Sequence, residues 1–525
     1  MATARSDARP VVTPAVKPGG RGTRRRGLVW CLSLSAGFSV WLACPSWAAK
    51  WDIVPTLAVV ETYTDNLNLS QDETKQSDWV TQIIPGISIA ATGPQLRFNI
   101  AYAPQFTYYV RDKENNQAYH QLSAFGNAEL AKQLLFVDVG ANVAQYNVSL
   151  QGPISTSNVN NTGNRATVGT YFVSPYLIRD FGSAVRVDAR YTYSISDSND
   201  ASLSDSDANR VNLRVASGPA YKLLTWYLDY MREIIDYQTQ QTIGSEVVTA
   251  NARVLITPTL GLLGSVGQEN YTNNIGRAPE GLMWSAGFDW APTPRTRLIA
   301  TAGERFYGDV YFLDFRHRTG RTTWSARYSQ NITTTRANLA FPATGSTSAI
   351  LDTMFLSQIP DPVARKKAVE EFIARTGIPP SLDSPINVFV DQLFLEKYWN
   401  ASVGVLGVNN TLFANVFGLT TAGLDGNLVV PNAPNASIQT GTTFLWNWRL
   451  TARNAWNLRI GFSRYEIPFT GQINDYTNVD MNITRHFQRR VSGSLGYRWQ
   501  HNDSKSPGAG GYTENAVIGA IQMRF

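Results

Sequence analysis

The chain has 525 residues, 43% hydrophobic and 16% charged, with 23 Tyr, 23 Phe and 14 Trp, and this many aromatics with so few charges excludes a disordered polypeptide. Its formal charge of +6 resides in the first 48 residues, which hold seven bases (Arg5, Arg9, Lys17, Arg21, Arg24, Arg25, Arg26) and one acid (Asp7); taking these from 46 bases and 40 acids leaves 39 of each, so no nucleic-acid partner is implied. Both cysteines, Cys31 and Cys44, lie there too, so residues 49–525 offer no disulfide, thiolate metal site or cysteine nucleophile.

Residues 1–48 read as an export signal. A basic leader precedes an apolar run from Leu28 to Ala43, and Pro45-Ser46-Trp47-Ala48 supplies small residues before a cleavage point at Ala49. Trp41, standing where a bacterial lipobox has Leu, argues against lipidation of Cys44. Beyond the leader no stretch offers 18 consecutive apolar residues, which excludes helical membrane spans.

From Trp51 onward the dominant signal is alternation with period two. Leu96, Phe98, Ile100 and Tyr102 alternate with Arg97, Asn99 and Ala101; Val185, Val187, Ala189, Tyr191 and Tyr193 oppose Arg186, Asp188, Arg190, Thr192 and Ser194. Trp456, Leu458, Ile460 and Phe462 oppose Asn457, Arg459, Gly461 and Ser463. One face is oily and the other polar. The segments are longer than the five or six residues of a typical strand and suit a tilted crossing of ~25 to 30 Å of hydrocarbon. Tyr and Trp gather near their ends, as at Tyr108-Tyr109, Trp226-Tyr227 and Trp446 with Trp448.

Tight connections are expected near Gly93-Pro94, Lys132-Gln133, Phe181-Gly182, Tyr221-Lys222, Pro258, Pro292-Thr293-Pro294, Thr333 to Thr335, Asn409-Asn410, Arg453-Asn454 and Gln488-Arg489. Longer polar loops lie between them, such as 64–78, 149–164, 196–208 and 421–435. Short turns on one side and long loops on the other predict an all-β, transmembrane, antiparallel up-and-down barrel of about twenty-two strands, both termini on the periplasmic side. The weakest strand is Arg336 to Phe341, and about twenty strands is the alternative count.

Between 343 and 390 the alternation lapses. Asp361-Pro362 opens a helix expected over about 361–376, stopped by Gly377, with Val363, Val369, Phe372 and Ile373 on one face. On an extracellular loop such an element would enter the lumen as a constriction, cover the mouth as a lid, or pack on the rim.

Strand phase turns Arg97, Arg186, Asp188, Arg190, Arg210, Arg214, Arg253, Arg449, Arg459 and Arg498 toward the lumen. Such guanidinium groups either concentrate anions or brace the wall in pairs with carboxylates, and acids such as Asp188 favour bracing. Asp205, Asp207 and Asn209 carry the first three spacings of a calcium loop, but Arg210 and Ala216 occupy the positions that need Gly and a bidentate acid, so no metal is expected. The four histidines, His120, His317, His486 and His501, have no metal-binding spacing, and there is no Gly-x-Ser-x-Gly elbow. A hydrolase is therefore the least favoured function, and no cofactor or catalytic residue is assigned. The chain ends with Val517, Gly519, Ile521, Met523 and Phe525 on one face, the terminal aromatic strand by which the barrel-assembly machinery takes up an outer-membrane barrel; Ile521, Met523 and Phe525 are its expected signal.

The opening Trp51-Asp52-Ile53-Val54-Pro55 with Glu61-Thr62-Tyr63-Thr64-Asp65-Asn66, and the segment Arg321-Thr322-Thr323-Trp324-Ser325-Ala326-Arg327-Tyr328-Ser329, give the mature chain a resemblance to the bacterial outer-membrane proteins associated with the PEP-CTERM/exosortase system. The gap before the strand beginning at Asp391 and the terminal Phe fit as well. The resemblance implies a Gram-negative outer-membrane component near exopolysaccharide or envelope-protein export. Its expected partners are lipid and lipopolysaccharide, exopolysaccharide and periplasmic export components, and no catalytic residues carry over. The function expected is a passive channel or docking pore; a general porin and a structural or adhesive barrel are the alternatives. An energised TonB-dependent transporter is disfavoured because the first strand, near Ile53, follows the leader with no plug between.

Overall fold

In the computed structural model the described residues are 49–200, 203–239, 241–273, 278–340, 392–434, 436–505 and 510–525, with 351, 352, 355, 356, 359, 365, 368 and 369 from the insertion. In chain order the wall strands are β1 (Lys50–Thr64), β2 (Asp78–Thr92), β3 (Leu96–Tyr102 continued by Gln105–Tyr109), β4 (Gln117–Tyr119 continued by Leu122–Ala131), β5 (Leu135–Asn147), β6 (Arg165–Phe181), β7 (Val185–Ser198) and β8 (Ser206–Ser217). They continue as β9 (Leu224–Tyr237), β10 (Thr242–Thr257), β11 (Leu260–Asn273), β12 (Glu280–Thr293), β13 (Thr296–Arg305), β14 (Gly308–Arg318) and β15 (Thr322–Thr333). The last are β16 (Phe394–Leu406), β17 (Asn410–Asp425), β18 (Leu428–Val430 continued by Ser437–Arg449), β19 (Asn454–Ile467), β20 (Gln472–Gln488), β21 (Val491–Ser504) and β22 (Tyr512–Arg524).

Each strand pairs antiparallel with its neighbours in sequence, and β22 returns to β1 over Thr56–Thr64, which closes a 22-stranded barrel. Closure removes the open sheet edge that hydrocarbon would not tolerate. The strands run from 10 residues (β13) to 17 (β6 and β20).

Outward side chains form an apolar belt: Ile53, Val59, Leu213, Leu228, Val248, Val266, Ile483, Leu495 and Ile521 are all exposed on the protein itself. Trp51, Trp290, Trp324 and Trp448 ring it at the short-turn end, and Trp79, Tyr108 and Tyr311 toward the long-loop end. A monomeric water-soluble protein does not leave a continuous apolar girdle uncovered, and lipid is the solvent that covers this one. The inward face is the reverse: Thr62, Thr64, Gln82, Gln439, Thr443, Asn478, Gln500 and Glu514 are buried there.

Nine of the ten anticipated short turns fall where the sequence placed them; the tenth does not. Ile332 and Thr333 end β15, and Thr334 then caps a short helix, α1 (Thr335–Ala340), its hydroxyl accepting from Ala337 N–H at 3.3 Å. The expected strand at Arg336 is therefore a helical turn, and the turn expected at 333–335 is its start. Between Pro294 and Thr333 the barrel instead has three strands, β13, β14 and β15; a tight connection at Phe306-Tyr307 separates the first two, and Gly308 at φ 108° makes that reversal, a conformation costly for any other residue. The short turn that compensates is 319–321, where Thr319 hydroxyl accepts from Arg321 and Thr322 N–H at 3.2 and 2.9 Å.

Candidate functional site: the occupied lumen

The barrel register decides which inward charges meet. Arg210 lies opposite Glu233 and Arg214 opposite Asp229 across β8 and β9, with N–O distances of 2.8 and 2.6 Å. Arg459 opposes Asp480 across β19 and β20 at 2.6 Å. Arg190 on β7 reaches past β6 to Asp138 on β5 at 2.7 Å, its guanidinium 3.9 Å from the centre of the Tyr176 ring. Asp289 on β12 takes Arg253 from β10 and Arg297 from β13 at 3.1 and 2.9 Å, and Arg305 pairs with the buried Glu269.

The most enclosed pair is Arg498 with Glu514, side chains 5% and 0% exposed. Glu514 accepts from Arg498 Nε and Nη2 at 3.0 and 2.8 Å, Gln500 Nε2 at 2.5 Å, Thr64 Oγ1 at 2.7 Å and Asn160 Nδ2 at 2.8 Å. Every lone-pair direction of the carboxylate is used, which is what makes a buried charge tolerable.

Ten positions, Asp188 and nine arginines, are those that strand phase turns toward the lumen. Six of the nine arginines, Arg190, Arg210, Arg214, Arg253, Arg459 and Arg498, meet a carboxylate at 3.1 Å or less. Arg186 has only a 3.9 Å contact to Asp180, both exposed, and Asp188 sits opposite Arg214 in the register. Arg97 and Arg449 lie near the short turns, Arg449 Nη2 donating to Val408 O and Asn409 Oδ1 at 2.9 Å each. The three of the nine without a close carboxylate, Arg97, Arg186 and Arg449, lie on strands beside short turns.

Two segments enter this lumen. The first is the loop 148–164. Asn164 Nδ2 donates to Ser149 O and Pro153 O at 2.8 and 3.1 Å, so the loop is compact in itself. It is also fastened across the long-loop end. Tyr109 and Tyr512 hydroxyls donate to Val159 O and Ile154 O at 3.1 and 2.7 Å, and Asn474 Nδ2 to Leu150 O at 2.9 Å. Leu150 and Ile154 pack with Leu69, Tyr465, Ile467, Tyr476 and Tyr512.

The second segment is the insertion after β15. Arg336 of α1 donates to Ser206 Oγ at 2.9 Å and Ser194 O at 2.7 Å, tying it to β8 and β7, and Asn338 Nδ2 donates to Glu396 Oε2 at 2.8 Å. Further along, Leu351, Phe355 and Val369 pack on Phe413 and Leu445, inward residues of β17 and β18 within a turn's reach of the short-turn end. Arg365 Nε pairs with Asp352 at 2.8 Å. Of the helix expected over 361–376, Arg365, Ala368 and Val369 are helical; Val363, Phe372 and Ile373 lie outside the described residues. Among the sequence alternatives, constriction, lid or rim, the described part of the insertion lies inside the lumen.

Asp205 spends its carboxylate on Ser198 N–H and Gln238 Nε2, at 2.9 and 3.2 Å, while Asp207 and Asn209 continue into the extended β8. That is not a cation loop, and among the described residues no three His, Cys, Asp or Glu side chains gather as metal ligands. His120, His317 and His501 meet the hydroxyls of Tyr102, Thr296 and Thr513 at 2.8, 2.8 and 3.0 Å.

No protein-family model and no curated protein matches the sequence. Among solved structures, the siderophore receptor PirA from Acinetobacter baumannii is 8% identical, with 90% of this chain and 80% of that chain covered and a TM-score of 0.46. The ferric-catecholate import receptor Fiu from E. coli is 7% identical, with 90% and 81% covered and a TM-score of 0.48. OccK2 (OpdF) from Pseudomonas aeruginosa is 8% identical, with 90% and 98% covered and a TM-score of 0.35.

Proposed function

We propose that this barrel is a gated, non-enzymatic outer-membrane channel for exopolysaccharide, with the short turns in the periplasm and the long loops outside. The observation that carries the channel reading is the seating of Leu351, Phe355 and Val369 on the inner wall at Phe413 and Leu445. A barrel serving only as an anchor or adhesin has no use for a segment that reaches from its outer loop to the far end of its own lumen. That apolar patch is small, so releasing it costs a few side chains of burial and leaves the ion-paired wall intact. The resemblance of Trp51–Asn66 and Arg321–Ser329 to the PEP-CTERM/exosortase-associated proteins supports exopolysaccharide as the cargo and periplasmic export components as partners at the turns.

The test is conductance in planar bilayers of the refolded barrel with and without residues 343–390. The channel reading expects a quiet wild type and discrete openings after deletion, diminished by added polysaccharide. Steady conductance of the wild type would identify a general porin instead. Silence from the deletion variant, with its barrel intact by heat-modifiable gel mobility, would leave only a structural role.

A further inference from the structure

Where the turns 319–321, 407–409 and 450–453 meet the insertion, the short-turn end encloses a cavity of about 450 Å³, within the roughly 300–1,000 Å³ of small-molecule sites. Arg321, Arg449, Arg453 and His486 line it, and among its described lining residues there is no Asp or Glu. That sets it apart from the rest of the inner wall, where Asp138, Asp229, Glu233, Asp289, Asp480 and Glu514 answer the arginines.

The groups differ in how they are held. The Arg449 guanidinium is fixed by Val408 O and Asn409 Oδ1. Arg321 and Arg453 are anchored through their backbone N–H groups, each donating to a turn threonine, Thr319 or Thr451, at 3.2 Å. Their turns are therefore rigid while their side chains stay exposed. The exposed Asn409 and the half-buried Asn454 add amides, while Phe355, packed in the insertion's apolar cluster, and Asn447, whose Nδ2 donates to Asn457 Oδ1 at 2.7 Å, close the inner wall.

One placed guanidinium, two that can close over a ligand, and the amides of Asn409 and Asn454 complement a sugar that carries a carboxylate. The carboxylate takes paired N–H donors and the hydroxyls take the amides. A bare inorganic anion would use the charge alone. We propose that this cavity binds a hexuronate unit of an anionic polysaccharide at the entry to the lumen. The export reading above supplies the direction from which the polymer arrives; the binding itself does not depend on transport.

Calorimetric titration of the full barrel in detergent with trigalacturonate, neutral galactotriose and inorganic phosphate tests this. Trigalacturonate is expected to bind at least about tenfold more tightly than either of the others, as paired charge-assisted contacts require. R321Q/R453Q is expected to lose about tenfold or more in affinity for it, whereas R321K/R453K, which keeps the charge, loses less. Equal binding of galactotriose or of phosphate would overturn the proposal, as would an unchanged affinity in R321Q/R453Q with normal heat-modifiable mobility. If the variants misfold, the three-ligand comparison on the wild type decides alone. Trigalacturonate binding by a barrel that stays silent without 343–390 would refute the channel reading and leave this site standing. Openings without that binding would do the reverse.

Discussion

Replacing Glu514 by Gln keeps the shape of the side chain and removes its charge, and the surroundings set the cost. Arg498, 5% exposed, would retain a cation with no carboxylate beside it. The new amide NH₂ would also face donors from Arg498, Gln500, Thr64 and Asn160 that now converge on the carboxylate. Removing one partner of a buried ion pair costs about 3–5 kcal/mol. The pair Arg214–Asp229, with side chains 58% and 29% exposed, provides the contrast: Asp229→Asn should cost no more than about 1 kcal/mol, since water and salt already screen it. Equilibrium unfolding by urea from lipid vesicles reads both, as a shift of midpoint at constant slope. The double variant Glu514→Gln with Arg498→Met removes the stranded charge and should recover most of the loss. Because Asn160 is released as well, limited proteolysis should cut within 148–164 in the single variant first. A loss below about 1 kcal/mol for Glu514→Gln, or a double variant no better than the single, would refute the argument that this cluster is a desolvated charge site.

Val266 stands mid-strand on the outer face of β11, 63% exposed; Val266→Arg should cost about 2–4 kcal/mol in vesicles because the side chain meets hydrocarbon, and a neutral result would mean that water reaches that face. At Gly303 a Cβ would fall 1.9 Å from Trp284 O and 2.6 Å from Ser285 Cα, whereas at Gly519 nothing lies within 4 Å. Gly303→Ala should therefore lower stability by about 1–3 kcal/mol through overpacking against backbone, with Gly519→Ala near neutral, and equal effects in the same urea assay would contradict it. Intact-mass measurement of protein from outer membranes should give a chain beginning at Ala49; an N-terminus within residues 1–47 would remove the leader assignment.

Much of the wall was readable because a strand between lipid and a polar lumen must alternate, so phase alone placed Arg190, Arg210 and Arg498 inside. What phase does not contain is register. That Arg190 passes over Ser174 to reach Asp138, or that Asp289 takes two arginines, depends on shear between strands, which no single strand records. The reversal at Phe306-Tyr307 was not legible for a related reason: both residues are aromatic, and only Gly308 marks it. The fastening of the loop 148–164 was not legible for a different reason. Its serines and asparagines suit solvent and a polar lumen equally, so composition could not say that Asn160 ends on Glu514. The seat of the insertion was not legible either, since phase places Phe413 and Leu445 on the inner wall but does not say what packs on them.

The seam between β22 and β1 carries a consequence for biogenesis. Thr56–Thr64 meets Ala516–Arg524, and Phe525 N–H donates to Pro55 O at 2.9 Å, so the first and last wall segments of the polypeptide are hydrogen-bonded neighbours. A ring joined at its own two ends cannot be sealed while synthesis is under way. Closure must wait until β22 is available to pair with β1, more than four hundred positions upstream. Whatever escorts the polypeptide to the membrane has to shield both strands for that interval.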